Sequence, residues 1–125
     1  REQIIRQTAE LDGRGVRVGI EQEPGSGGKE SALSSVANLA GFTVSLDRPS
    51  GDKTARAEPF ATQVMIGNIA ILAGAWNKLY LDECAAFPIG RHKDQVDASS
   101  GAFSMLTLGR QRAKVSLVSA SRLGL

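Results

Sequence analysis

Between residues 16 and 46 the chain switches twice between a two-residue and a helical apolar period, and this alternation constrains the fold more than any other feature. Val16, Val18 and Ile20 alternate with Arg17 and Gly19, and Glu21 follows, which predicts a short strand. Pro24-Gly25-Ser26-Gly27-Gly28 reads as a flexible turn. Lys29 to Ala40 predicts a helix with Leu33, Val36, Ala37 and Ala40 inward, and Gly41 stands where a helix-ending glycine belongs. Phe42 to Leu46 predicts a second strand. Strand, helix, strand in this order is the unit of an α/β layered domain with a partly parallel sheet.

The flanking sequence extends the same plan. Residues 1–12 predict a helix with Ile4, Ile5, Thr8 and Leu11 on one face, stopped by Asp12-Gly13 and Gly15. Asp47 to Thr54 is a polar loop. Ala57 to Ile66 predicts a helix with Phe60, Ala61, Val64 and Met65 inward. Ile69 to Leu72 predicts a third short strand. Trp76 to Ala86 predicts an amphipathic helix burying Trp76, Leu79, Tyr80 and Cys84, broken by Phe87-Pro88-Ile89-Gly90. A last helix runs from about Lys93 to Leu106, with Val96, Ala102, Phe103 and Leu106 as its core side. Three strands are few for this many helices, so further strands are expected upstream of Arg1.

Composition removes several classes. With 125 residues the chain fits one domain, or part of one, at the usual size of about 100–200 residues. A content of 42% apolar and 22% charged residues excludes a disordered acidic tail and a collagen-like chain, and 5% aromatics excludes an aromatic-rich binding surface. No apolar run approaches the ~20 residues of a bilayer span. A single Cys84 excludes an internal disulfide framework. The chain opens on Arg1 with no signal peptide, as expected of something processed or cut from a longer protein. Residues 108–125 carry Arg110, Arg112, Lys114 and Arg122 and no acid, giving +4, so the remaining 11 bases and 13 acids give −2. This basic tail can seek phosphates or an acidic partner, or can simply solvate the chain end.

Three stretches carry residues capable of chemistry. The first, Ile20 to Lys29, superficially suggests a phosphate-binding P-loop. That pattern requires Gly six residues before the Lys and Ser/Thr after it, where this chain has Glu23 and Glu30. A carboxylate at Glu23 opposes phosphate approach. What remains is a strand ending in Glu21 and opening on glycines, at the place where α/β sheets gather ligands; the alternative is that Glu21 and Glu23 are solvated turn residues. The second is Phe87 to Ala98. Asp94 and Asp97 share a face at a helix start, either to bind a cation or to serve the helix end as caps; His92 alone is as readily a backbone partner. In the third, Ser50 to Ala57, Lys53 and Arg56 either contact phosphates or belong to a solvated loop.

Taken in order, these stretches resemble the C-terminal nuclease domain of the large subunit of phage DNA-packaging terminases. The matching pieces are IEQEPGSGGK at Ile20–Lys29, LAGFTVSLDRPSGDKTARAEPFATQV at Leu39–Val64, GNIAILAGAW at Gly67–Trp76 and LDECAAFPIGRHKDQVDASSGAF at Leu81–Phe103. They lie within residues 16–107, and the FPxGxHxDxVDA run at Phe87–Ala98 is the most specific of them.

The resemblance implies an α/β, ribonuclease H-like nuclease fold over residues 1–107, a small sheet flanked by helices, followed by the basic tail at 108–125. It implies metal-dependent cleavage of concatemeric double-stranded DNA during genome packaging, in the cytoplasm of a bacterial host, with the terminase small subunit and the portal protein as partners. In that family acidic residues hold Mg²⁺ or Mn²⁺. Glu21 corresponds to the acid at the end of a strand, with Glu23 as the fallback, and Asp94 to the acid at the start of a late helix. Asp97 matches the acid of the VDA piece and supports the metal or the helix. Lys53, Arg56 and His92 are then phosphate-facing or supporting groups. Carboxylates and hard divalent ions suit each other, and two ions about 3.5–4 Å apart can activate water and steady the leaving oxygen without a nucleophilic side chain.

The chain departs from the family in two respects. The family's first catalytic Asp lies on a strand before the first helix, where this chain starts, and Glu2, Glu10 and Asp12 sit on or at the end of a helix and do not replace it. Lys93 stands where the family often has Asp. The motor ATPase that normally precedes the nuclease is also not in this sequence. The expectation is therefore a piece of the nuclease whose activity on its own does not follow from the resemblance. The alternatives are a non-catalytic DNA- or portal-binding module and, more weakly, a nucleotide-binding domain.

Overall fold

The computed structural model describes residues 1–107, and within them the chain forms two compact units, Arg1–Ser50 and a second beginning at Gly51. The first unit holds α1 (Glu2–Asp12), β1 (Val18–Glu21), α2 (Ser26–Asn38) and β2 (Val44–Asp47). The second holds α3 (Lys53–Met65), α4 (Asn77–Ala86) and a helix α5 over residues 94–107. Among the described residues there are thus five helices and a parallel sheet of two strands. No helix there is long and apolar enough to cross a membrane.

In the first unit β1 and β2 pair in parallel, with Val18 opposite Val44, Ile20 opposite Leu46 and Glu21 opposite Asp47. A parallel pair needs a crossover, and α2 supplies it. The turn into α2 is tighter than the glycine-rich sequence suggests, because the helix begins at Ser26 rather than Lys29. Gly25 adopts φ 94° and ψ 171°, a backbone region essentially reserved for glycine. A Cβ at Gly28 would collide with the backbone of Glu23. These two glycines therefore fold residues 23–25 onto the first turn of α2, while Gly27 faces open space.

The α1–α2 interface is built from small and polar side chains. Ala9, Ala32, Ser35 and Leu39 are buried. Ser35 Oγ donates to Glu2 Oε1 at 2.8 Å, Asn38 Nδ2 donates to the Glu2 carbonyl at 2.9 Å, and Arg1 Nη1 donates to Ser31 Oγ at 2.9 Å. Arg6 reaches the Asn38 carbonyl, and the guanidinium groups of Arg6 and Arg14 lie 5.8 and 5.7 Å from the Phe42 ring centroid. This corrects the predicted faces. Ile4 and Leu11 are 67% and 87% exposed, and Leu33 is 50% exposed. Close approach at alanine and serine, combined with hydrogen bonds to Glu2, turns α1 and α2 away from their bulkier apolar residues.

In the second unit Asp52 caps α3, its Oδ1 accepting from the Thr54 N–H at 2.7 Å. The helix consequently starts at Lys53 instead of Ala57 and carries Pro59 in its interior. Within α3, Ala57 is buried and Phe60 half-buried, but Ala61, Val64 and Met65 are exposed, contrary to the predicted face. Phe60 meets the Phe103 ring at a centroid distance of 6.0 Å, and Lys53 meets Asp97, so α3 and α5 run side by side in the same direction. Tyr80 pairs with Ser99, and Glu83 with Gln95 and Val96, so α4 and α5 are antiparallel. On α5 Val96 is buried and Phe103 half-buried as predicted, whereas Ala102 and Leu106 are exposed.

Residues 69–72 do not form the predicted third strand. A strand exists only with a ladder partner, and among the described residues β1 and β2 pair with each other alone. Asn77 takes up nearby backbone groups instead, donating to the Leu72 carbonyl at 3.1 Å and accepting from the Gly74 N–H. Trp76 and Leu79, expected inside, are 49% and 72% exposed; Trp76 packs edge-on against Tyr80.

Candidate functional site

The acidic residues singled out from the sequence fall at two kinds of position. Glu21 is the last residue of β1 and is exposed. Its register partner is Asp47, the last residue of β2. Two carboxylate-bearing residues thus stand side by side at the carboxyl ends of adjacent parallel strands, about 5 Å apart between Cα atoms. The Gln22 N–H donates to the Asp47 carbonyl at 2.8 Å, and Arg48 Nε donates to Gln22 Oε1 at 3.3 Å, tying the two strand ends together. Asp47 escaped the sequence reading, which assigned it to the following loop. The usable signal was that both apolar runs, 18–20 and 42–46, end in an acid. Glu23, the fallback for Glu21, is exposed in the turn that Gly25 and Gly28 shape.

Asp94 and Asp97 occupy the first turn of α5. Asp94 is exposed, and Asp97 is the more enclosed of the two. Lys53 Nζ lies 2.6 Å from Asp97 Oδ2, joining the start of α3 to the start of α5. The lysine predicted to face phosphate is therefore also the cation on one of the predicted metal-supporting acids. Arg56 lies one turn along α3 and is half-buried; His92 is exposed just ahead of α5, and Lys93 is half-buried at its N-cap position.

The capping alternative for Asp94 and Asp97 meets a competing residue. The Val96 N–H is taken by Glu83 Oε2 of α4 at 2.8 Å, and Gln95 Nε2 donates to Glu83 Oε1 at 3.2 Å. Glu83 is buried, and sequence reading missed it because its partners lie on the next helix. Tyr80, one turn before it, hydrogen-bonds Ser99 at 2.8 Å, and burial raises its phenol above the ordinary value of 10.0. The first turn of α5 is thus held from α3 through Lys53 and from α4 through Glu83.

Chemically, the donor set is one of hard oxygen ligands, the kind Mg²⁺ and Mn²⁺ select. The ammonium of Lys53 already neutralises one of these carboxylates, that of Asp97. Glu21 belongs to the first unit and Asp94 and Asp97 to the second. Within neither unit do three or more His, Cys, Asp or Glu side chains of the described residues gather as a metal-holding group.

Comparison with known proteins gives one family. The model of the terminase RNaseH-like domain matches residues 2–106. No curated protein and no solved structure matches the chain significantly. The family match begins in α1, runs through both units and ends within α5. On that extent, most of its length, the chain belongs to the terminase RNaseH-like domain family.

Proposed function

We propose that this domain serves as the metal-dependent endonuclease of a phage terminase large subunit, hydrolysing phosphodiester bonds of concatemeric double-stranded DNA during genome packaging. The observation that carries the reading is the family match over residues 2–106. In this proposal Glu21 and Asp94 ligate Mg²⁺ or Mn²⁺, and Asp97 supports the metal or the helix start. When bound, the metal supplies a polarised water and charge neutralisation at the phosphate.

The chain's own residues have separable tasks. Glu21 offers a carboxylate at a strand end, where β-ladder bonds restrict its backbone. Asp94 offers one at a helix start, where the helix dipole favours anionic oxygen. Lys53, paired with Asp97, brings positive charge to the start of α3, where a phosphate oxygen can be attracted. Arg56, one helical turn on, and His92 add positive or donor character for the DNA backbone. The terminase small subunit and portal protein are the partners expected of such a domain.

Relaxation of a supercoiled plasmid tests this directly. The proposal expects Mn²⁺-dependent nicking by the chain that disappears in Asp94→Ala and Glu21→Ala, while both variants keep their far-UV circular dichroism. Nicking that persists in both variants contradicts the assignment of these residues. Plasmid binding without any Mn²⁺-dependent nicking turns the reading toward a non-catalytic DNA-binding module.

A further inference from the structure

A buried carboxylate is costly unless both oxygens find donors. Glu83, 8% exposed, meets that condition with partners drawn from a single turn: the Val96 N–H at Oε2 and the Gln95 side chain at Oε1. That turn is the one bearing Asp94 and Asp97. Helix starts leave their first N–H groups unpaired, and an oxygen on the N-cap side chain usually takes one of them. Here the N-cap position is Lys93, whose carbonyl accepts the Asp97 N–H at 2.9 Å but whose side chain carries only donors. The Lys93 side chain therefore cannot cap, and the acceptor for the Val96 N–H comes from α4.

We propose that Glu83 is a positioning residue: by capping α5 from the neighbouring helix, it fixes the turn that presents Asp94 and Asp97. The inference rests on the preceding reading only in taking Asp94 as a metal ligand. Gln95 and Val96, the residues Glu83 grips, lie between the two acids, so a tilt of this turn displaces both carboxylates together. Tyr80, on the same face of α4, bonds Ser99 one turn further along α5 and sets the axis, leaving Glu83 to set the helix start. Lys53 holds Asp97 from the side of α3. Metal ligands tolerate only small displacements, and partners that orient them typically change metal affinity about 10–100-fold when removed.

Two conservative variants of the full chain separate placement from charge. Glu83→Asp keeps the charge but withdraws the carboxylate by one methylene. Glu83→Gln loses the charge but keeps an oxygen at the same reach, able to accept from the Val96 N–H. Amide hydrogen exchange and Mn²⁺ affinity are measured on both. The proposal expects Glu83→Asp to speed Val96 exchange and weaken Mn²⁺ binding about ten-fold, with Glu83→Gln staying within about two-fold of the parent for both. Losses in Glu83→Gln equal to or greater than those in Glu83→Asp overturn it, because charge near the site rather than placement of the turn would then matter. Unchanged exchange and affinity in both folded variants overturn it too. Should the parent chain bind no Mn²⁺, the metal reading fails on its own, and Val96 exchange alone still decides the positioning claim.

Discussion

The Lys53–Asp97 pair shows how much one contact between two helices is worth. Its N···O distance is 2.6 Å, but the Lys53 side chain is half exposed while that of Asp97 is mostly enclosed. Solvent screening on the lysine side holds the coupling to about 0.5–1 kcal/mol. A double-mutant cycle of Lys53→Met and Asp97→Asn, read by urea unfolding, is expected to give that interaction energy and to lose it at high salt. Strict additivity would mean the pair contributes nothing. Tyr80 makes a second prediction. Burial raises its phenol pKa in the folded state, outweighing the opposing effect of the hydrogen bond with Ser99. The folded chain therefore holds this proton more tightly than the unfolded chain. The associated stability is complete below the unfolded value of about 10 and is lost as pH rises through the higher folded value. Tyr80→Phe is expected to flatten the alkaline loss of stability measured by urea midpoints; an unchanged slope above about pH 10 would contradict it. At this scale the sequence announced Glu21, Asp94, Asp97 and Lys53, because acids and bases at predicted element ends stand out. Asp47 and Glu83 stayed hidden, since their meaning depends on strand register and on a neighbouring helix.

The segment between β1 and α2 concentrates what an element demands of its residues. Gly25 is required by its dihedral angles and Gly28 by the approach of the Glu23 backbone, whereas Gly27 is in open space within the helix. Gly25→Ala is expected to destabilise the chain by about 1–3 kcal/mol. Gly27→Ala is expected to be neutral or to stabilise by about 0.5–1 kcal/mol through helix propensity. Equal denaturation midpoints for the two variants would contradict this division. Asp52→Ala removes the cap of α3 and is expected to cost about 1 kcal/mol in the same assay. The order of helices and the two paired strands were legible in the apolar periods. Helix faces were not, because α1 and α2 meet through Ala9, Ala32 and Ser35 and leave Ile4, Leu11 and Leu33 exposed. Residues 69–72 have the composition of a strand, yet composition cannot supply the neighbour that a ladder needs.

For the molecule as a whole, the ordered motifs from Ile20 to Phe103 were more informative than any single periodicity, and the family match over residues 2–106 agrees with them. The basic tail at 108–125 lies outside the described residues. The DNA binding proposed for this domain would rest on Lys and Arg contacts to phosphate, so its affinity is expected to fall steeply with salt in a fluorescence anisotropy titration; an affinity indifferent to salt would contradict that origin. The central claim, that Glu21 and Asp94 are the metal ligands, is tested most directly by anomalous diffraction from crystals of the chain soaked in Mn²⁺. Manganese is expected at coordination distance from Glu21 and from Asp94. Manganese bound elsewhere, with Glu21 and Asp94 bare, would contradict it.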